Sequence, residues 1–182
     1  MKVLVACEFS GVVREAFRKR GHNAYSCDLL PDMNGNYEYH ILGDVREVLK
    51  QDWDLIIAHP PCDYLAVSGN RYYSERPDLY IPAANFAKMF EQYADKVCVE
   101  NPVGRLSSLW RKPDQYVQPW MFGHGETKKT GLWLKNLPKL EPTNIVEGRE
   151  QRIWKMGPSK RRKSLRSITF QGVADAMAEQ WT

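Results

Sequence analysis

Two side chains in this 182-residue sequence have the types and setting for covalent chemistry: the thiol of Cys62 and the carboxyl of Glu100. Cys62 directly follows Pro60 and Pro61. Two pyrrolidine rings fix φ and withhold two amide donors, so the thiol is presented on a stiff turn. Most cysteines are inert and buried, and Cys7, Cys27 and Cys98 read that way from their places inside or at the ends of apolar runs. A cysteine kept only for packing has no need of a Pro-Pro lead. Glu100 precedes Asn101 and Pro102. A carboxyl beside a thiol could hold a heteroaromatic ring by hydrogen bonding, in its protonated form if partly desolvated. The four cysteines show no CxxC spacing, which argues against a metal site and for a reduced, cytoplasmic setting.

These residues need elements to position them, and the sequence supplies strand-like and helix-like segments in alternation. Lys2–Ala6 is a nearly continuous apolar run and Trp53–Ala58 the clearest buried strand, as in strands buried on both faces; Asn23–Cys27 and Lys96–Val99 read as two more. Val12, Val13, Ala16 and Phe17 recur at helical spacing up to the stop at Gly21. A short helix is expected from Gly43-Asp44 to Leu49, others over Ala83–Tyr93 and Val173–Trp181, and a late strand over Gly131–Leu134, with Ser68–Pro82 as loop. This order implies right-handed crossovers and a doubly wound α/β sheet. Ligands bind such sheets beyond the carboxyl ends of the strands. Glu8, Asp28, Asp44, Cys62 and Glu100 all fall at that edge, although Asp28 and Asp44 equally suit turn or N-cap positions.

The composition, 43% hydrophobic and 26% charged, is that of a globular domain and excludes disordered and coiled-coil chains. Residues 1–182 are read as one domain. No apolar run approaches a membrane span and Met1-Lys2 leads straight into a strand, so neither a membrane nor a signal peptide is expected. The net charge of +4 is uneven: Arg149, Arg152, Lys155, Lys160, Arg161, Arg162, Lys163 and Arg166 face only one acid, Glu150, over 149–166. A basic stretch on a mildly acidic body suits contact with a polyanion, and equally a solvated loop.

The ordered motifs resemble the carbon-5 cytosine DNA methyltransferases, over most of the chain. Phe9-Ser10-Gly11 resembles the first S-adenosylmethionine motif, Asp28 stands where an acid holds the cofactor ribose, and Gly43-Asp44 is similar to the adenine-contacting motif. Pro60-Pro61-Cys62 resembles the nucleophile motif and Glu100-Asn101-Pro102 the Glu-Asn-Val motif. Gln118–Leu134 and Thr143–Arg152 are similar to small phage-type members. The resemblance implies a Rossmann-like S-adenosylmethionine-dependent methyltransferase fold, with the cofactor held by Phe9, Ser10, Gly11, Asp28, Asp44 and Pro60. It makes Cys62 the nucleophile at carbon 6, Glu100 the partner of N3 and the exocyclic group, and Lys128 an aid at the 2-oxygen. A base in duplex DNA must be flipped to reach the thiol. The loop 63–77, with Arg71, Tyr72 and Tyr73, could close over it, unless the tyrosines are core or surface aromatics.

Three departures stand out. Val12 and Val13 occupy the place of the family's second glycine, and Lys128 stands where the family offers arginines, without a bidentate fork. Where the family carries a large target-recognition domain, this chain has only the basic segment 141–166, whose Arg149, Arg152, Lys160, Arg161, Arg162 and Lys163 could contact phosphates without reading bases. Two other functions therefore stay open: a pyrimidine-modifying enzyme acting on RNA or free nucleotides, and a catalytically silent nucleic-acid-binding or decoy module. Amino-group methyltransferases place Asp/Asn-Pro-Pro-Tyr/Phe at the same strand end. His59 and Cys62 flank the prolines here, without the amide acceptor or the stacking aromatic. No GxSxG elbow supports a serine hydrolase.

Overall fold

Apolar residues that alternate along each strand point to opposite faces of one sheet, and helices cover both faces. A computed structural model describes residues 1–69, 73, 75–157, 159 and 162–182. Its described strands are β1 (Lys2–Ala6), β2 (Asn23–Asp28), β3 (His40–Leu42), β4 (Leu55–Ala58), β5 (Lys96–Pro102), β6 (Gln115–Val117) and β7 (Thr130–Lys135). They form one sheet in the order β3-β2-β1-β4-β5-β7-β6. β1 to β5 pair in parallel, and β7 runs antiparallel to both β5 and β6. The described helices are α1 (Val12–Lys19), α2 (Val45–Val48), α3 (Pro77–Met89), α4 (Leu106–Leu109), α5 (Arg152–Lys155), α6 (Arg162–Ser167) and α7 (Gln171–Gln180).

The period-two pattern sorts the core into two layers. Val3, Val5, Leu55, Ile57 and Cys98 pack with Phe17 of α1 and Val173, Ala174 and Met177 of α7. Leu4, Ala6, Ile56, Ala58, Val97 and Val99 pack on the other face with Val45 and Val48 of α2, Ala84 and Ala87 of α3, and Trp133. Buried indoles are satisfied: Trp181 Nε1 donates to the Pro138 carbonyl at 2.9 Å and Trp53 Nε1 to Val48 at 3.0 Å. The expected doubly wound sheet is present. Among the described residues no helix is long and apolar enough to cross a membrane.

Several boundaries differ from the sequence expectations for identifiable reasons. β3 was not among the expected strands. It is held by pairing with β2 and by His40, whose ring nitrogens meet the Ser26 hydroxyl and the Leu30 carbonyl, both at 2.9 Å. β5 continues to Pro102 because β7 pairs with it from Val97 to Pro102, so Glu100 sits inside a strand opposite Leu132 rather than beyond its end. α3 begins at Pro77, not Ala83, and runs through Pro82. β6, α4, α5 and α6 were not expected; each is short, and tertiary contacts rather than periodicity define them.

Candidate active site

The loop after β1 leaves its strand with Cys7 at φ 59°, an uncommon backbone for a residue other than glycine. α1 then starts at Gly11, which is left-handed at φ 71° and offers no capping side chain. The cap comes instead from Glu8. Its carboxylate accepts from the Val13 amide at 2.7 Å, the Arg14 amide at 3.2 Å and the Ser10 hydroxyl at 3.2 Å. Burial raises the Glu8 carboxyl, against the pull of the His59 ring and these amides. Beneath the loop, the wholly buried Arg14 donates to Ser26 and to Asp32, each at 2.8 Å. Gly11 is needed here twice over, since a Cβ would lie 2.4 Å from the Arg14 guanidinium.

Phe9, Ser10 and Gly11 thus form a braced loop at the carboxyl edge. Asp28 closes β2 half-buried and accepts from the Leu30 amide at 2.8 Å; burial raises its carboxyl above the usual range. Asp44 caps α2, accepting from the Arg46 amide at 3.0 Å. The Arg46 side chain beside it holds that carboxyl at about 2. Asp44 is therefore already a cap and an ion-pair partner. Cys7 was expected in the core but is half-buried at this edge, where burial and then the Asp28 charge push its thiol up.

Across the same edge, two hydrogen bonds join motifs about forty residues apart in sequence. Asn101 Nδ2 donates to the Pro60 carbonyl at 3.0 Å, and His59 Nδ1 lies 3.1 Å from Glu100 Oε2. The side chains of His59 and Glu100 are 10% and 16% exposed, so the pair is nearly closed to water. Burial opposes ionisation of Glu100, yet His59, Lys128 and the Thr130 hydroxyl together hold its carboxyl below the usual range. Cys62 is half-buried, and burial, then the Glu100 and Asp63 charges, raise its thiol, with Lys128 acting the other way. Lys128 donates from Nζ to the Ile168 carbonyl at 3.0 Å; burial lowers it, while Glu100 and Cys62 favour its charge. Cys62, Glu100 and Lys128 are therefore mutual electrostatic neighbours. His59 Nε2 and Asn101 Oδ1 are buried with no partner among the described residues.

The basic segment folds against this site. Lys163 of α6 pairs with Asp63, next to the candidate nucleophile, at 2.7 Å. With the Lys128–Ile168 bond, it lays α6 alongside the thiol. Arg152 pairs with Glu126 at 2.8 Å, and Arg149 stands 3.9 Å over the Trp120 ring. Backbone bonds from Gly123 to Asn144 at 2.7 Å and from Thr127 to Glu150 at 2.8 Å stitch this segment to the stretch before β7. Arg162 is on α6; Arg71, Tyr72, Lys160 and Arg161 lie outside the described residues. Sequence reasoning missed His59 as a partner of Glu100, and Trp154, which is 70% exposed among these basic residues. Among the described residues, no group of three or more His, Cys, Asp or Glu side chains could hold a metal ion.

No protein-family model matches the chain, and no curated protein matches it in sequence. Solved structures do match in shape. One is a candidate DNA modification methyltransferase encoded within an Escherichia coli prophage. It has 16% identity and a TM-score of 0.52, over 87% of this chain and 55% of that one. Another is the Entamoeba histolytica methyltransferase EhMeth, with 12% identity and a TM-score of 0.54, over 83% of this chain and 57% of that one. The chain thus spans little more than half the length of these two proteins. With the sheet order above, these likenesses establish a Rossmann-like α/β methyltransferase fold.

Proposed function

We propose that the protein is an S-adenosylmethionine-dependent methyltransferase that modifies carbon 5 of cytosine in DNA. The observation that carries this reading is the joining of the Pro60-Pro61-Cys62 turn to Glu100-Asn101 by the Asn101–Pro60 and His59–Glu100 hydrogen bonds. A nucleophile and a ring-binding carboxyl thereby share one mouth.

The residues fit the donor. A helix N-terminus in a dinucleotide fold ordinarily receives a phosphate, but Glu8 already fills the start of α1 with a carboxylate. The loop therefore suits a phosphate-free adenosyl ligand. Phe9, Ser10, Gly11, Asp28, Asp44 and Pro60 would hold it, and when bound it supplies an electrophilic sulfonium methyl. Asp28, with a carboxyl only half-buried, is the group available for ribose hydroxyls; Asp44 would act through the turn that it caps.

On the substrate side, Cys62 loses its proton to solvent and its sulfur bonds to carbon 6. The carbon 5–carbon 6 electron pair is then available at carbon 5, while Glu100 holds a proton against N3. Lys128, whose charge lies beside both groups, favours the thiolate and stands ready for the 2-oxygen. After methyl transfer the carbon-5 proton leaves to water, the sulfur–carbon 6 bond breaks and the thiolate returns. The basic segment 141–166 takes the place of a recognition domain, with Arg149, Arg152, Lys160, Arg161, Arg162 and Lys163, joined by Arg71 of the loop 63–77, supplying phosphate contacts and Trp154 a stacking face.

The test is trapping on mixed-sequence DNA in which 5-fluorocytosine replaces cytosine, with S-adenosylmethionine present. A denaturation-resistant adduct should form with the native protein and vanish in Cys62→Ser. An adduct that survives the substitution overturns the assignment of the nucleophile. No adduct on DNA, with one forming on the equivalent RNA, moves the substrate class.

A further inference from the structure

Glu100 has two jobs in the reaction above that conflict. It is held as a carboxylate, yet N3 of a pyrimidine is an acceptor and needs a proton between the two. The structure places one candidate source within reach. His59 Nδ1 is 3.1 Å from Glu100 Oε2, and because a carboxylate only accepts, Nδ1 carries the hydrogen. The backbone holds the ring firmly: the His59 amide donates to the Ala6 carbonyl at 2.9 Å, and the stiff Pro60-Pro61 turn follows. The carboxylates of Glu8, Asp28 and Glu100 all act on His59, and Lys128 and Cys62 act on Glu100. Its other nitrogen, Nε2, is buried without a partner. A histidine kept for packing alone is ordinarily satisfied on both nitrogens, so this one calls for a role.

We propose that His59 is the positioning residue of Glu100 and its proton reservoir, the pair sharing one proton that passes through Glu100 to ring N3 as Cys62 adds to carbon 6. In that step the sulfur–carbon 6 bond forms, the single shared proton moves from Nδ1 through Glu100 to N3, and Glu100 is left a carboxylate. His59 is left neutral. When the thiolate departs, the proton returns from N3 through Glu100 to Nδ1, and the dyad is restored. The proposal rests on the reading of the site given above, and it adds a group that neither the nucleophile motif nor the Glu-Asn motif contains.

Two measurements test it, the first without any substrate. In the full chain labelled with 15N-histidine, the His59 Nδ1 resonance should be that of a hydrogen-bonded N–H. Glu100→Gln should shift the His59 Nδ1 and Nε2 resonances, as the loss of a close charge partner does, leaving those of His22, His40 and His124 in place. Unmoved His59 resonances overturn the dyad whatever the protein's reaction. The second is tritium release from a mixed-sequence oligonucleotide carrying [5-3H]cytosine, without methyl donor. His59→Asn keeps a neutral donor towards Glu100, so release should survive at low pH. Its alkaline limb should move down by about one unit, since Glu100 must then find its own proton. His59→Leu should lose release about 100-fold across the range, as is typical when a positioned proton donor is removed. An unchanged alkaline limb in His59→Asn overturns the reservoir while leaving the nucleophile standing. No release from the native protein overturns the reaction itself, and the His59 resonances then judge the dyad alone.

Discussion

Replacing Lys163 by serine separates two effects of α6 on Cys62 that have opposite signs. Lys163 and Asp63 are 2.7 Å apart with side chains 78% and 37% exposed. An exposed pair of this kind contributes at most about 1 kcal/mol, equivalent to about a five-fold change in a two-state ratio. Losing it should therefore raise the fraction of molecules with α6 lifted, and the alkylation rate of Cys62, by about two- to five-fold. Electrostatics works the other way. The Lys163 charge and the Cys62 thiolate interact, so without the lysine less thiolate is present and alkylation slows. An increase can thus come only from uncovering. The assay is iodoacetamide labelling at mildly alkaline pH, read at Cys62 by peptide mass spectrometry. The other thiols serve as internal controls: burial pushes Cys27 up to about 11, and Cys7 and Cys98 upward as well. A slower rate in the variant refutes the covering role of α6. An oligothymidylate that competes for Lys163 should accelerate labelling of the native protein in the same way.

Two stability predictions follow from the loop after β1. Asp32→Asn breaks a wholly buried ion pair, which costs about 3–5 kcal/mol and should lower the melting temperature by about 6–20 °C. Burial opposes the Asp32 charge, but the Asn36 amide and Arg14 outweigh it and hold the carboxyl low. Its contribution is complete above the unfolded carboxyl value and fades as pH falls through the folded one. Thermal denaturation should show the gap between native and variant narrowing towards acid; a gap constant with pH would count against the assignment. Gly11→Ala forces a side chain into left-handed backbone, costing about 1–2 kcal/mol, and presses on a guanidinium that Ser26 and Asp32 leave no room to move. Unchanged melting would refute that packing.

The sheet was legible because strands buried on both faces leave continuous apolar runs, as in Leu55–Ala58. The carboxyl-edge rule then gathered Glu8, Asp28, Asp44, Cys62 and Glu100 without further information. What the sequence concealed were features set by partners. β3 owes its existence to His40 bonding Ser26 and Leu30, and β5 reaches Pro102 because β7 lies beside it. Glu8 read as one more acid at the edge, and only the folded loop shows its carboxylate capping α1 across the intervening Gly11. His59 had one clue, its place before Pro60, but its contact with Glu100 joins strands far apart in the chain. The placement of Lys163 against Asp63 likewise follows from tertiary contact, which no periodicity within a short basic run encodes.

α1 and α7 stand near opposite ends of the sequence yet together cover the same side of the sheet. Until α7 is in place, Val3, Val5, Leu55, Ile57 and Phe17 present an oily surface with nothing over it. A chain synthesised from its amino end must carry that surface bare through most of its length, and bringing the two helices together closes a very long loop. A stop codon just upstream of Gln171 would therefore yield a sticky, aggregation-prone product rather than a smaller working protein, even though every residue assigned to chemistry would still be present.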